Sequence, residues 1–346
     1  MTVTRKIWSR TADGKAVYRY TISNSSGASV VLTNIGAGIV SINVPDRDGK
    51  LGDVVLGYGK AENYFHDGPC FGKCPGRYAN RIAAGRFTLD GKTYELPVNN
   101  GPNHLHGGPE GFQNRVWESR KKGGAVEFRY TAEDGEMGYP GRHTVTAHYQ
   151  WSDDNVLTLT FSARTAAPTV LNLTNHAYFN LDCGGSVLRH SLRLNALEYL
   201  PTDATLIPTG ESEPVAGTPM DFTASKTIGR DIEADCVQLH NGNGYDHNWV
   251  LATAGNIEEV AAELYCPETG IDLKVYTDEP GIQVYTGNFL DGTVKGKKGV
   301  VYNFRHAVCL ETQKYPDTPN KPEWPSALLR PGETYTSHCI FAFGVK

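Results

Sequence analysis

Along this 346-residue chain, apolar and polar positions alternate with a period of two. In Leu157-Thr-Leu-Thr-Phe-Ser162 the apolar side chains fall on one face and the hydroxyls on the other. Ile271-Asp-Leu-Lys-Val275 repeats the pattern with charges outside. Both predict half-buried antiparallel strands. Glu127–Thr131, Thr144–Tyr149 and Gln283–Thr286 are rich in strand formers and extend the same reading. Phe87-Thr-Leu-Asp-Gly-Lys-Thr-Tyr94 predicts a hairpin, because Asp90-Gly91 supplies the positive φ of a tight turn. Asp48-Gly49 predicts a second such turn. Helical periodicity is scarce; residues Ile228 to Leu239 offer one short helix or a few turns. The 38 glycines and 19 prolines are spread along the chain, which suits many turns rather than one linker. The expectation is an all-β fold: one large antiparallel β-sandwich spanning 1–346 as a single domain.

Composition narrows the function classes. A formal charge of −5 gives no basic footprint for nucleic acid and no attraction to an anionic membrane. No apolar run approaches the ~20 residues of a membrane span. The first ten residues lack an apolar core typical of a secretory signal, which points to a cytoplasmic protein. Seven scattered cysteines then read as reduced and mostly buried thiols. Cys70 and Cys74 form the close pair, but two further ligands at zinc spacing are missing nearby, so no metal is expected.

Polar residues embedded among strand formers change the picture most. Asn172-Leu-Thr-Asn-His-Ala-Tyr-Phe-Asn-Leu181 places His176 between asparagines. A sheet interior rejects such groups unless each finds a partner, so the run reads as the floor of a polar cleft. Similar mixtures occur at Asn100–Gly108, Gly244–Trp249 and Cys309–Gln313. His176 has a side chain able to give or take a proton near neutrality, and Asn175 and Asn180 add groups suited to sugar hydroxyls. His106 precedes a glycine pair that allows close approach of a ligand. His104, two residues earlier, would share its face on a strand. Arg81 offers a rigid fork of donors, with Arg77 as a competitor. Asp246 leads from a glycine-rich loop toward a strand. Glu311 interrupts the apolar run Ala307-Val-Cys-Leu310; burial there would raise its pKa and make it a base near neutrality.

Together these segments resemble the aldose 1-epimerases. The matching pieces run in order: Gly76-Arg-Tyr-Ala-Asn-Arg-Ile82, the Phe87–Leu96 hairpin, Asn99–Asn103 with Leu105-His-Gly-Gly108, and Leu173–Leu181. Tyr245-Asp-His-Asn248, Gly281–Asn288, Leu310-Glu-Thr-Gln313 with Pro316-Asp317, and Leu329–Tyr335 follow. The resemblance implies an antiparallel β-sandwich with a sugar in an open cleft on one sheet. It implies Glu311 as catalytic base, His176 as catalytic acid and His106 as a second active-site histidine. Asn80, Arg81, Asp246 and Gln283 are implied as substrate-binding residues. The implied substrate is an aldohexose such as galactose or glucose, bound by a monomer or homodimer.

The implied reaction is ring opening and reclosure. Glu311 takes the C1 hydroxyl proton, His176 protonates the ring oxygen O5, the C1–O5 bond breaks, and the aldehyde rotates before closing. Proton movement alone suffices, so no cofactor is expected. The rival readings are a glycoside hydrolase pairing Asp246 with Glu311, a hexose-phosphate epimerase, and a non-catalytic sugar-binding module.

Overall fold

In the computed structural model, which describes residues 1–65 and 67–346, the alternating segments become strands. Val156–Thr165 buries Leu157, Leu159, Phe161 and Ala163 and leaves Thr158, Thr160 and Ser162 half-exposed. It lies within a nine-stranded sheet. The order is Glu118–Lys122, Ala125–Ala132, His143–Trp151, Val156–Thr165, Tyr335–Val345, Ile271–Thr277, Ala262–Tyr265, Ser191–Leu194 and Lys226–Thr227. Every pairing in it is antiparallel.

A six-stranded antiparallel sheet packs against it, in the order Tyr178–Phe179, Val308–Gln313, Gly281–Tyr285, Asp246–Leu251, Ala196–Leu200 and Glu213–Pro214. The layers meet through side chains such as Phe179, whose ring centroid lies 5.0 Å from that of Phe341. Val308, Leu310, Ile282 and Val284 enter the same apolar core as Leu159 and Leu273. Each such fully buried side chain contributes about 1.5–3 kcal/mol through removal from water. A five-stranded N-terminal sheet, from Thr2–Arg10 to Leu51–Asp53, joins this core through Tyr20, edge-on to Phe128.

The expected hairpin is present. Arg86–Leu89 pairs with Lys92–Glu95 across Asp90 (φ 50°) and Gly91 (φ 79°). The turn at Asp48-Gly49 closes through an Asp46 N–H bond to the Lys50 carbonyl, 2.9 Å. Residues Ile228 to Leu239 form no continuous helix. A 3₁₀ turn at Ile228–Arg230 gives way to turns, and a short helix runs Val237–Gly242. No helix among the described residues is long and apolar enough to cross a membrane.

Alternation on the six-stranded sheet positions the chemistry. With Val308, Leu310, Ile282, Val284 and Trp249 turned to the core, the residues alternating with them face outward. The register aligns Tyr178, Cys309, Tyr285 and Asp246 in one row across four strands. Glu311, Gln283 and Asn248 form the next row. A one-residue slip of Val308–Gln313 would send Glu311 into the apolar core, so core packing fixes its placement.

Candidate active site

Tyr178, Tyr285, Asp246 and Glu311 of the outward rows line an open cleft of about 830 Å³. His106, His176, Asp246 and Glu311, from the four polar segments of the sequence, all reach its wall, together with Asn80 and Arg81.

His176 is held by its backbone. Its N–H donates to the Lys73 carbonyl (2.9 Å), and its own carbonyl accepts from the Gly72 N–H (2.8 Å). Asn172 ties the same segment down, donating through Nδ2 to the carbonyls of Ala79 (3.1 Å) and Lys314 (3.2 Å). Asn175 donates to the Gly72 carbonyl (2.7 Å), and Asn180 to the His306 carbonyl (2.7 Å). These asparagines therefore satisfy buried backbone acceptors and do not line the cleft, contrary to the expectation that Asn175 and Asn180 serve sugar hydroxyls. The His176 ring stacks on Tyr178, with centroids 5.0 Å apart and planes at 17°.

Glu311 is 2% exposed, and its Oε1 stands 3.7 Å from His176 Nε2. Its Oε2 is buried without a hydrogen-bond partner. Burial, reinforced by the Asp246 charge and only partly offset by Arg81, raises the Glu311 pKa well above the usual carboxylate range. Burial also pushes His176 down to about 4. Both shifts favour uncharged forms. A carboxyl and an imidazole displaced in opposite directions suit a pair that shares one proton near neutral pH.

His106 is fixed differently. It sits at φ 53°, so the strand ends at Leu105 and the alternation that would align His104 with His106 is broken. His104 instead lies outside the cleft wall, bonded through Nδ1 to the Pro97 carbonyl (2.7 Å) and through Nε2 to the Tyr139 hydroxyl (2.8 Å). The His106 Nδ1 accepts the Asn80 backbone N–H at 3.1 Å. Burial, with His176 and Arg81 nearby, holds the ring neutral by driving its pKa well below the ordinary value. An acceptor at Nδ1 in a neutral ring leaves the proton on Nε2. His106 is thus a permanent hydrogen-bond donor.

That tautomer also bears on metal binding. His106, His176 and Glu311 bring potential ligand atoms within 4.8 Å of one another. A ring nitrogen that carries a proton cannot ligate a cation, and moving the proton to Nδ1 would set it against the Asn80 N–H. The donor set does not fit a metal ion.

Asp246 accepts from Gln283 Nε2 (2.7 Å) and lies 3.8 Å from the Arg81 guanidinium. Burial raises its pKa, while Arg81 and Gln283 act to lower it. Arg81 Nε in turn donates to Asn100 Oδ1 at 2.9 Å. Gln283 is absent from the cleft wall. On the sheet it stands beside Asp246 in the outward row with Glu311, its Nε2 engaged by the Asp246 carboxylate. Arg77 turns away, donating to the Gly141 carbonyl and Thr169 hydroxyl at 3.0 Å each. Tyr178, Tyr285 and Phe289 give the cleft its aromatic walls. Sequence reasoning missed Tyr178 and Tyr285 because aromatic residues on strands are ordinary sheet formers, and Phe289 because it stands in a turn beyond the strand. It also missed the buried Lys73–Asp67 ion pair, whose cation contributes to the lowered pKa of His176.

The glycine after His106 is obligatory. Gly107 has φ +77°, and a Cβ there would fall 1.8 Å from the Gly76 carbonyl oxygen. Gly107→Ala is expected to destabilise the fold by at least ~1–3 kcal/mol from left-handed strain alone. Urea unfolding of the two proteins measures the difference; equal midpoints would contradict the close approach.

An antiparallel sandwich carrying an imidazole–carboxyl pair in a polar cleft defines a class of acid–base sugar enzymes. The aldose 1-epimerase family model matches residues 18–342. Galactose mutarotase of Sus scrofa is 42% identical over 100% of this chain and 99% of its own. Aldose 1-epimerase of Escherichia coli (strain K12) is 40% identical over 96% of each chain. The crystal structure of the GalM/aldose epimerase homologue from C. elegans superposes with a TM-score of 0.88 at 33% identity, covering 94% of this chain and 98% of that one. The chain belongs to the aldose 1-epimerase family.

Proposed function

We propose that this chain is an aldose 1-epimerase, an isomerase that interconverts the α and β anomers of aldohexoses such as galactose and glucose. The observation that carries the mechanism is the buried, unpartnered Glu311 oxygen beside His176 in an open polar cleft. A buried carboxyl oxygen without a partner is costly, and its place beside a perturbed imidazole supports reading the two as an acid–base pair.

Glu311, as a carboxylate, removes the proton from the C1 hydroxyl. His176, as the imidazolium of the one-proton pair, gives its Nε2 proton to O5 while the C1–O5 bond breaks. The open-chain aldehyde rotates about C1–C2. Glu311 and His176 then reverse roles as the ring closes on the other face. The Nε2–H of His106 offers a fixed hydrogen bond to charge developing on oxygen. Asp246, Arg81 and Asn80 hold the sugar hydroxyls, with Gln283 orienting Asp246. Every group comes from one chain, so the site needs no second subunit; we read the protein as a single domain spanning 1–346, a monomer or homodimer of the cytoplasm.

The cleft disfavours a hexose phosphate. Arg81 is the one arginine or lysine in its wall among the described residues, and it is already committed to Asp246 and Asn100. Anomeric exchange of galactose, followed by NMR magnetisation transfer between the two H1 signals, tests the reading. Transfer should grow with added protein, while nitrophenyl galactosides remain uncleaved. Glycoside cleavage without anomeric exchange would reverse the assignment to a hydrolase.

Asp246→Asn weakens charge-assisted bonds worth about 1.5–3 kcal/mol. Its KM for galactose is expected to rise ~10–100-fold, with a smaller change in kcat. Steady-state kinetics would place Asp246 outside the sugar contacts if KM were unchanged.

A further inference from the structure

The mechanism above requires His176 to use one nitrogen as the shuttle and to keep the other protonated throughout. After Nε2 has given its proton to O5, the ring must be neutral with its remaining proton on Nδ1. Only then is the Nε2 lone pair free to take the proton back. The opposite tautomer would leave Nε2–H as a fixed donor, which is the state of His106.

Something must therefore hold the proton at Nδ1. The register supplies it. Cys309 and Glu311 are two residues apart on one strand face, and they address the two nitrogens of the same ring. Glu311 Oε1 is 3.7 Å from Nε2, and Cys309 Sγ is 3.4 Å from Nδ1. The ring's own backbone carbonyl also favours a proton on His176. Burial keeps Cys309 a neutral thiol by driving its pKa well up, and its sulfur retains acceptor capacity.

We propose that Cys309 is a positioning residue whose sulfur accepts the His176 Nδ1 proton, so that Nε2 is the nitrogen that exchanges protons with the sugar. The two cleft histidines are then held in opposite neutral tautomers. The Asn80 N–H places the proton of His106 on Nε2, and Cys309 places that of His176 on Nδ1. This assignment rests on the proposed acid role of His176, but the tautomer is read without turnover.

The test is long-range ¹⁵N–¹H correlation NMR on full-length protein with ¹⁵N-histidine, at neutral pH without sugar. His176→Gln and His106→Gln spectra assign the two rings. The expected result is Nδ1–H for His176 and Nε2–H for His106. In Cys309→Ala, the His176 signals should move toward a tautomer mixture. The kcat for galactose should fall ~3–10-fold, the small effect of losing one weak hydrogen bond, with KM within twofold. A protonated Nε2 on neutral His176 in the unaltered protein overturns the proposal, because the thiol would then be the donor. So does a Cys309→Ala protein with unchanged His176 signals and unchanged kcat. If the tautomers are as stated but His176→Gln keeps its activity, the acid role fails while the tautomer assignment stands.

Discussion

Replacing Glu311 with glutamine is expected to lower protein-dependent mutarotation by ~10²–10⁴-fold, the usual worth of a positioned acid–base group. The amide keeps the shape but cannot take the C1 hydroxyl proton, so sugar binding should persist while kcat collapses. A second effect goes the other way. The folded-state pKa of Glu311 is raised by burial, so between the unfolded carboxyl value and that raised value the folded protein binds more protons than the unfolded chain. Stability contributed by this group therefore falls as pH rises through that window. Glutamine carries no such penalty. The variant should melt higher than the unaltered protein at neutral and mildly alkaline pH. The gap should close below the ordinary carboxylate pKa. Scanning calorimetry across pH reads this directly; a variant that melts lower at neutral pH would mean that the carboxylate is stabilised in the fold.

Replacing His176 with glutamine should cost a comparable ~10²–10⁴-fold in kcat, because O5 loses its proton donor. The pH profile of the unaltered protein carries the same information. The productive state holds one proton on the His176–Glu311 pair. Adding a second removes the base, which places the acid limb of kcat/KM near the value of about 4 to which His176 is pushed. Losing the last proton removes the acid, which places the alkaline limb above the ordinary carboxylate range, where Glu311 has been raised. Both limbs belong to the pair. Loss of activity on the acid side at the ordinary imidazole pKa would instead mean that His176 works unperturbed.

Glu311 was legible in the sequence because a carboxylate inside an apolar strand has few bland explanations, and its burial agrees. The strands were legible because one buried face writes a period of two. Asn175 and Asn180 show where such reading stops. A polar side chain in a strand-like run can face a ligand or satisfy a neighbour's backbone, and composition is the same in both cases. Only the register sets Gln283 beside Asp246, and only the thread of residues 172–177 past 72–79 gives Asn172 and Asn175 their carbonyls. The His104–His106 relation failed for a local reason, since alternation assumes extended backbone and His106 has positive φ. Cys309 read as core because an apolar run hides which of its faces looks into a cleft.

The most direct test of the central claim is polarimetry of freshly dissolved α-D-galactose at neutral pH, with the unaltered protein, with Glu311→Gln, and with buffer alone. A faster approach to the same final rotation is expected with the unaltered protein, and a near-buffer rate with the variant. A variant that kept most of the acceleration would remove Glu311 as the base, and no acceleration by the unaltered protein despite sugar binding would leave this cleft a binding site without the reaction.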